Sequence, residues 1–288
     1  YSNYSNIKNV SLRRILNPIF SKMRTFSHPG YKRFLLSVGC LLSIHFTALF
    51  FLTLFRLVFF FSANYDFPDQ EHVGFMSIWP AFIRGVWFDN VIACYILLIP
   101  LVAVSISALF NYYGKILWNV TCIFFSLFYG IVLLVTAANI PYFQYFFKII
   151  NSSVFNWFGY MNTTAGMVFG ETSYYPPLIG FLLTLVLFIW LMRRLIRHFQ
   201  RLLNTKNPSV FWLDRIYIFL TAGICIGLCL FGIRGRTGYN PIKVSAAYYC
   251  TDPFLNQLGI SPVFNLLSST LDDSRKENRY LHLMPENE

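Results

Sequence analysis

Long apolar runs alternate along this chain with shorter polar segments, many of which are basic. Each run reaches about the 20 residues that an α-helix needs to cross the hydrocarbon core of a bilayer. The pattern therefore predicts an all-α integral membrane protein with five transmembrane helices. The runs cover residues 34–63, 89–110, 116–138, 177–195 and 216–233.

The connections between these runs differ in length and composition. Residues 111–115 form a short link, so the second and third helices are predicted to be antiparallel neighbours. The breakers Pro68 and Pro80 mark the first connection, and Pro141 marks the end of the third run. Residues 142–176 are rich in aromatic side chains, which suit the interface between lipid and water. We therefore expect amphipathic or interfacial connections.

Basic residues are distributed unevenly between the two sets of connections. Segments 1–33, 111–115 and 193–215 hold fourteen lysines and arginines, whereas the connections on the other side hold two. Cytoplasmic loops carry the excess of Lys and Arg, so the N terminus is predicted to be cytoplasmic. An odd number of spans then places the C-terminal tail outside the cell.

These predictions divide the chain into three parts. Residues 1–33 form a basic cytoplasmic segment, and residues 34–233 form the five-helix membrane domain. Residues 234–288 form an extracytoplasmic linker, which is polar to mixed in composition and contains no sixth apolar run.

Composition excludes most classes of soluble protein. Hydrophobic residues make up 56% of the chain and charged residues 12%, about half the charged fraction of a soluble domain. The net charge of +11 would suggest nucleic-acid binding in a soluble protein. Here the basic residues border apolar runs, which favours an anionic lipid surface as the partner and not nucleic acid.

Residues able to perform catalysis or to bind a metal are scarce and scattered. The sequence contains no HExxH, GxSxG or Walker motif, and its five histidines show no ligand spacing. Its cysteines lie mostly inside apolar runs, so they are interpreted as small buried hydrophobes. The motifs give no support to catalysis, or to a metal site, within these 288 residues.

Two polar residues interrupt the first apolar run. His45 and Arg56 are eleven residues apart, close to three helical turns, so they are predicted to share one helix face. Ionisable groups at such depth face protein or water and often mark a functional site. One interpretation is a site for headgroup binding or coupling. The other is that His45 bonds to a neighbouring helix and Arg56 extends to the outer surface.

A second group of polar residues lies near the predicted outer ends of the spans. These residues could bind a phosphorylated headgroup, because Arg is a bidentate phosphate donor, or they could be ordinary interfacial caps and ion pairs. Arg84 and Asp89 lie about 140° apart on a helix and are expected to pair poorly with each other. The candidates for headgroup binding are Arg84, Asp89, Tyr142, Lys148, Arg234 and Arg236.

Short motifs in the tail and near two of the spans resemble one known family. The tail motifs are Arg234-Gly235, Pro241-Ile242, Ala246-Ala247-Tyr248, Asn256-Gln257-Leu258 and Ser261-Pro262-Val263-Phe264-Asn265-Leu266. The others are Gly85-Val86-Trp87-Phe88-Asp89 and Asn139-Ile140-Pro141-Tyr142-Phe143. In order and spacing over about residues 34–270, they resemble the N-terminal transmembrane domain of lipoteichoic acid synthase-like phosphoglycerol transferases. Asn139 stands where that family usually has Asp, and Ser261 where it usually has Asn.

This resemblance implies a function for the parent enzyme. The family belongs to the alkaline phosphatase/sulfatase superfamily of the bacterial inner (cytoplasmic) membrane. Its catalytic domain follows such a tail, outside the cell, and uses a nucleophilic Thr with a divalent metal, typically manganese. The resemblance thus implies that this chain anchors a phosphoglycerol or phosphoethanolamine transferase, or a related hydrolase, and helps to present its lipid donor. Its implied partners are membrane phospholipids and its own downstream catalytic domain.

Two other classes of function stay open at this stage. A small transporter or channel subunit would need polar or broken spans around a midplane site, usually with repeated topology. His45, Arg56 and Pro100 are the candidates for such a site, and the sequence shows no repeat. A structural or sensory membrane subunit would recruit a partner through residues 234–288.

Overall fold

The computed structural model describes residues 28–63, 75–160, 166, 170, 172–203 and 212–275. These residues are helical or irregular, with no strand among them. Among the described residues, five helices are long and apolar enough to cross a membrane, which confirms the predicted number of such helices. They are α1 (Pro29–Ser62), α2 (Phe75–Leu109), α3 (Lys115–Phe146), α4 (Tyr175–Leu203) and α5 (Trp212–Arg234).

Two helices extend beyond the predicted breakers. Helix α2 begins at Phe75 instead of residue 89, and it contains both Pro80 and Pro100. Helix α3 continues through Pro141 to Phe146. Proline interrupts the backbone hydrogen bonds of a helix, but neighbouring helices can hold the helical path on both sides of it. The predictions about Pro80 and Pro141 as breakers are therefore wrong, whereas Pro68 lies outside the described residues.

Helix α1 is the centre of the bundle, since it contacts all four of the other long helices. From Ile44 to Phe59 its buried residues recur every three or four positions and form one stripe, whereas Phe46, Phe50 and Phe61 on the opposite side are exposed. Helices α4 and α5 bury few of their apolar side chains, and many of the others are exposed. Exposed apolar surface of this extent is typical of helices that face lipid or another protein.

The tail after α5 folds back on the bundle and does not extend away from it. It contains the 3-10 helix Val244–Ala247 and the helices α6 (Pro253–Leu258) and α7 (Pro262–Ser274). The side chain of Asp252 caps α6 by accepting a hydrogen bond from the Leu255 amide at 3.0 Å. Helix α6 packs on α1 and α2, and α7 packs on α2 and α3. We call this end of the bundle the tail end, and the opposite one, where α1 begins, the basic end.

Candidate functional site: a buried ion pair beneath the tail

The best-defined polar site lies inside the tail end of the bundle. Arg56 of α1 donates from Nη2 to Asp89 Oδ2 of α2 at 2.7 Å, and both side chains are at most 5% exposed. Two opposite charges removed from water stabilise each other only with close geometry and further hydrogen bonds. The prediction that Arg56 extends to the outer surface is therefore wrong.

The second guanidinium nitrogen of Arg56 supplies those further hydrogen bonds. Arg56 Nη1 donates to the carbonyl of Leu258, which ends α6, and to the carbonyl of Ile260 at 3.0 Å. Carbonyls at the end of a helix lack partners within the helix and carry partial negative charge. A single guanidinium thus connects α1, α2 and the tail.

Three residues of the motif Gly85-Val-Trp-Phe88-Asp89 contact Arg56 or the tail. The guanidinium of Arg56 lies across Gly85, where an added Cβ would overlap it. One turn further along α2, Phe88 packs on Phe264 of the tail with ring centroids 4.8 Å apart. Asp89 then supplies the charge partner. The glycine thus leaves space for the guanidinium of Arg56, and the aspartate forms an ion pair with it. The phenylalanine makes an apolar contact with the tail.

Arg84 holds a different part of the tail. Its Nε donates to the carbonyl of Ala246 at 3.2 Å, and its guanidinium lies over the ring of Tyr249, 4.4 Å from the centroid. Tyr249 in turn donates to the carbonyl of Ser77 at 2.6 Å. Burial is the main cause that raises the pKa of Tyr249 to about 12. Arg84 and Asp89 contact different groups, as their predicted separation around the helix requires.

Amide side chains attach the segment after α3 to the tail. Asn139 accepts a hydrogen bond from the Ile150 amide at 3.0 Å, and Asn265 donates to the Ile150 carbonyl at 2.9 Å. Gln257 accepts from the Ile149 amide at 3.1 Å. Asn139 is 1% exposed and uses its neutral carbonyl oxygen in this contact. Asn at this position thus performs a hydrogen-bonding role that needs no charge.

The other predicted headgroup residues do not converge on one pocket. Arg234 is exposed and donates to the carbonyls of Gly238 and Tyr239, and thereby closes the turn after α5. Arg236 and Lys148 are exposed at the tail end. Tyr142 packs against the ring of Trp157, with centroids 5.7 Å apart. Headgroup binding by these residues stays a prediction.

His45 lies deeper in the bundle and has a partner that the sequence did not indicate. Its Nε2 is 3.1 Å from Oδ1 of Asn90 on α2, which confirms the expected bond to a neighbouring helix. Both side chains border an apolar groove of about 400 Å³ between α1, α2 and α5, which Cys94 and Cys229 also line. The Cys229 thiol donates to the carbonyl of Cys94 at 3.3 Å, so these polar groups are bonded within the protein.

A larger cavity, of about 800 Å³, lies at the tail end between α3, α4 and the 3-10 helix Ser152–Tyr160. Its walls are almost entirely apolar and aromatic, and Tyr142 forms part of them. The sequence indicated an interfacial aromatic segment here but not a cavity. The lining residues include Leu134, Ala138, Tyr142, Tyr145, Phe146, Trp157, Pro177 and Phe181.

The site described here is one of buried polar contacts and apolar cavities. In the described part of the chain, no three or more His, Cys, Asp or Glu side chains are grouped so that they could hold a metal ion. Comparison of the chain with protein-family models, curated proteins and solved structures finds no match.

Proposed function

We propose that this chain is the membrane domain of a phosphoglycerol or phosphoethanolamine transferase-like enzyme of the bacterial cytoplasmic membrane. Its N terminus lies in the cytoplasm, and its tail lies outside. The five long apolar helices and the excess of basic residues at one end support insertion in this orientation. The motifs of the tail and of α2 support the transferase class.

One observation carries the anchoring role, namely the contact of Arg56 with both Asp89 and the carbonyls of the tail. A flexible linker would let a downstream domain sample many positions and orientations above the membrane. A docked tail instead fixes the position at the membrane surface from which that domain begins. Fixing donor and catalyst at one surface raises their effective concentration and limits their relative orientation.

The large apolar cavity at the tail end supports a second part of this proposal. Ligand sites are typically concave and mostly apolar, with a volume in the range of about 300–1,000 Å³. The cavity of about 800 Å³ falls within that range, and its aromatic walls suit the region where acyl chains meet headgroups. It therefore provides a place for an acyl chain of the lipid donor, close to the exposed Lys148.

The first experiment tests orientation. Alkaline phosphatase fused after residue 288 should be active, because this reporter folds only outside the cytoplasm, and the same reporter fused after residue 207 should be inactive. A cytoplasmic signal after residue 288 would contradict the anchor, since its tail could not then hold an external domain.

The second experiment tests the enzyme class. The intact protein, with the domain that follows the tail, is incubated with phospholipid labelled in its headgroup. We expect transfer of the labelled group to an acceptor, and a reduced rate for Arg56→Lys in comparison with Lys243→Gln, which alters an exposed charge in the tail. An intact protein that never transfers or releases the headgroup would contradict the proposed class.

A further inference from the structure

Four cationic side chains line a single cavity at the basic end. The cavity has a volume of about 290 Å³ and lies where α1, the link between α2 and α3, and the end of α4 meet. Arg197, Gln200 and Arg201 lie three and four residues apart, so they share a face of α4. The cavity is lined by Arg33, Tyr113, Lys115, Trp118, Arg197, Gln200, Arg201 and Leu203. We call it the basic cavity.

Arg33 forms a fixed wall of the basic cavity. It is 8% exposed, and its Nε and Nη2 donate to the carbonyl of Leu203 at 3.1 Å and 2.8 Å. Its guanidinium also lies 5.1 Å from the centroid of the Tyr113 ring. Packing and hydrogen bonds therefore hold one positive charge in place, whereas Lys115, Arg197 and Arg201 are exposed at the rim.

No acidic side chain among the described residues lines the basic cavity. In sequence, segments 1–33, 111–115 and 193–215 contain Asp214 as their one acidic residue. The Asp214 carboxylate lies 2.8 Å from His28 Nδ1 and accepts a hydrogen bond from the Gly30 amide at 3.3 Å. Asp214 does not line the basic cavity.

Two buried donors in the same walls have no acceptor among the described residues. They are the hydroxyl of Tyr113 and the indole Nε1 of Trp118, a side chain that is 1% exposed. Burial raises the pKa of Tyr113 to about 12, so this hydroxyl keeps its proton at neutral pH and can donate. A buried donor without an acceptor is costly, and most buried polar groups in proteins have one. The walls thus combine several positive charges with two donors that have no acceptor in the described part of the chain.

We propose that the basic cavity binds a phosphate-bearing anion. Arg197 and Arg201 supply forked donors that match phosphate oxygens, and Lys115 adds a point charge. The hydroxyl of Tyr113 and the indole of Trp118 donate to the same group. The phosphate belongs either to the headgroup of an anionic phospholipid or to a soluble phosphate compound. The basic cavity lies at the ends of apolar helices, and lipid headgroups lie at the same level in a bilayer.

The test measures binding to the full chain, purified in a neutral detergent. Native mass spectrometry counts bound phosphatidylglycerol and, as a zwitterionic comparison without net charge, phosphatidylcholine. Both are measured with and without inorganic phosphate as competitor. The variant Arg197→Gln/Arg201→Gln changes the basic cavity. The matched control, Arg193→Gln/Arg194→Gln, removes the same charge from exposed positions of α4 that do not line it.

We expect the cavity variant to bind the preferred anion on the order of tenfold more weakly than the control does, because each Lys or Arg near a surface contributes appreciably to anionic-lipid binding. Binding of phosphatidylglycerol that inorganic phosphate does not displace identifies a lipid headgroup. Displacement by inorganic phosphate identifies a soluble anion. Equal binding by the cavity variant and the control would overturn the proposal.

Two conservative variants keep the test valid if the double variant does not fold. Trp118→Phe and Tyr113→Phe each preserve an aromatic ring and remove a single donor that lines the cavity. We expect each to weaken anion binding severalfold. Tyr113→Phe should leave the melting temperature unchanged, whereas Trp118→Phe should lower it because the smaller ring leaves a void. Unchanged anion binding in both would also overturn the proposal. Neither result affects the proposed transferase, which is tested by headgroup transfer.

Discussion

Arg56 and Asp89 form a buried ion pair whose third partner is the polypeptide backbone of the tail. The 2.7 Å contact joins α1 to α2, and the other end of the same guanidinium reaches the carbonyls of Leu258 and Ile260. The positive charge is therefore compensated by one full negative charge and by the partial charges at the end of a helix. Docking of the tail and assembly of the helices depend on the same side chain.

Replacement of Asp89 by Asn should destabilise the whole domain. It leaves the buried guanidinium of Arg56 without its charged partner, and breaking a buried pair in this way typically costs about 3–5 kcal/mol. The measurement is the melting temperature of the purified domain in detergent. Lys243→Gln, at an exposed position in the tail, is the control and should melt like the wild type. An unchanged melting temperature for Asp89→Asn would contradict the compensating role.

Arg56→Lys should separate docking of the tail from assembly of the helices. Lysine keeps the positive charge, but its single ammonium group cannot reproduce the fork that contacts Asp89, Leu258 and Ile260 together. We expect amide hydrogens of α6 and α7 to exchange faster, whereas those of α1 and α2 stay protected. Uniform protection in the variant would show that other contacts are sufficient to hold the tail.

Gly85→Ala tests the close approach of Arg56 to α2. An added Cβ would overlap the guanidinium, and such overpacking typically costs about 1–3 kcal/mol. Gly180→Ala is the matched control, because no atom lies within 4 Å of a Cβ added at that helical position. The control should be neutral or slightly stabilising, since alanine favours helix. Equal stability of the two variants would mean that the space at Gly85 is not needed.

Phe254→Ala tests the apolar contribution to docking. The ring of Phe254, on α6, lies 5.8 Å from that of Phe59 and 5.7 Å from that of Phe143. Removal of such a buried ring typically costs about 3–5 kcal/mol, so we expect the tail to become sensitive to protease. Tyr248→Ala, which removes an exposed ring of the tail, should have little effect and serves as the control.

Ala138→Trp tests the large cavity at the tail end. This residue lines the cavity, and a tryptophan there would occupy the space that we propose for an acyl chain of a lipid donor. In an assay of the proposed transferase activity we expect KM for the lipid donor to rise while the fold is retained. Val120→Trp is exposed on the same helix and does not line the cavity, so it should leave KM unchanged. A rise in both would point to a general effect of the added ring.

The sequence predicted the helices of this domain better than it predicted their ends. Apolar runs indicated five helices because burial in lipid imposes a minimum length and composition on each span. Pro80 and Pro141 gave the wrong boundaries, because the local preference of proline is overridden when neighbouring elements hold the helix. The spacing of His45 and Arg56 predicted that they share one helix face, and both are buried in α1. It did not reveal that this face is buried, or that Asn90 and the tail are their partners.

By itself, the sequence determined the number of long apolar helices and the difference in charge between the two ends, because hydropathy and charge are properties of short segments. Only the tertiary structure decided that Arg56 is an internal connection, that the tail is docked, and that two cavities lie at opposite ends. The physical reason is the separation of the partners along the chain, since Arg56 is 33 residues from Asp89 and 202 from Leu258. Contacts over such distances are fixed by the packing of whole helices, which no local pattern records.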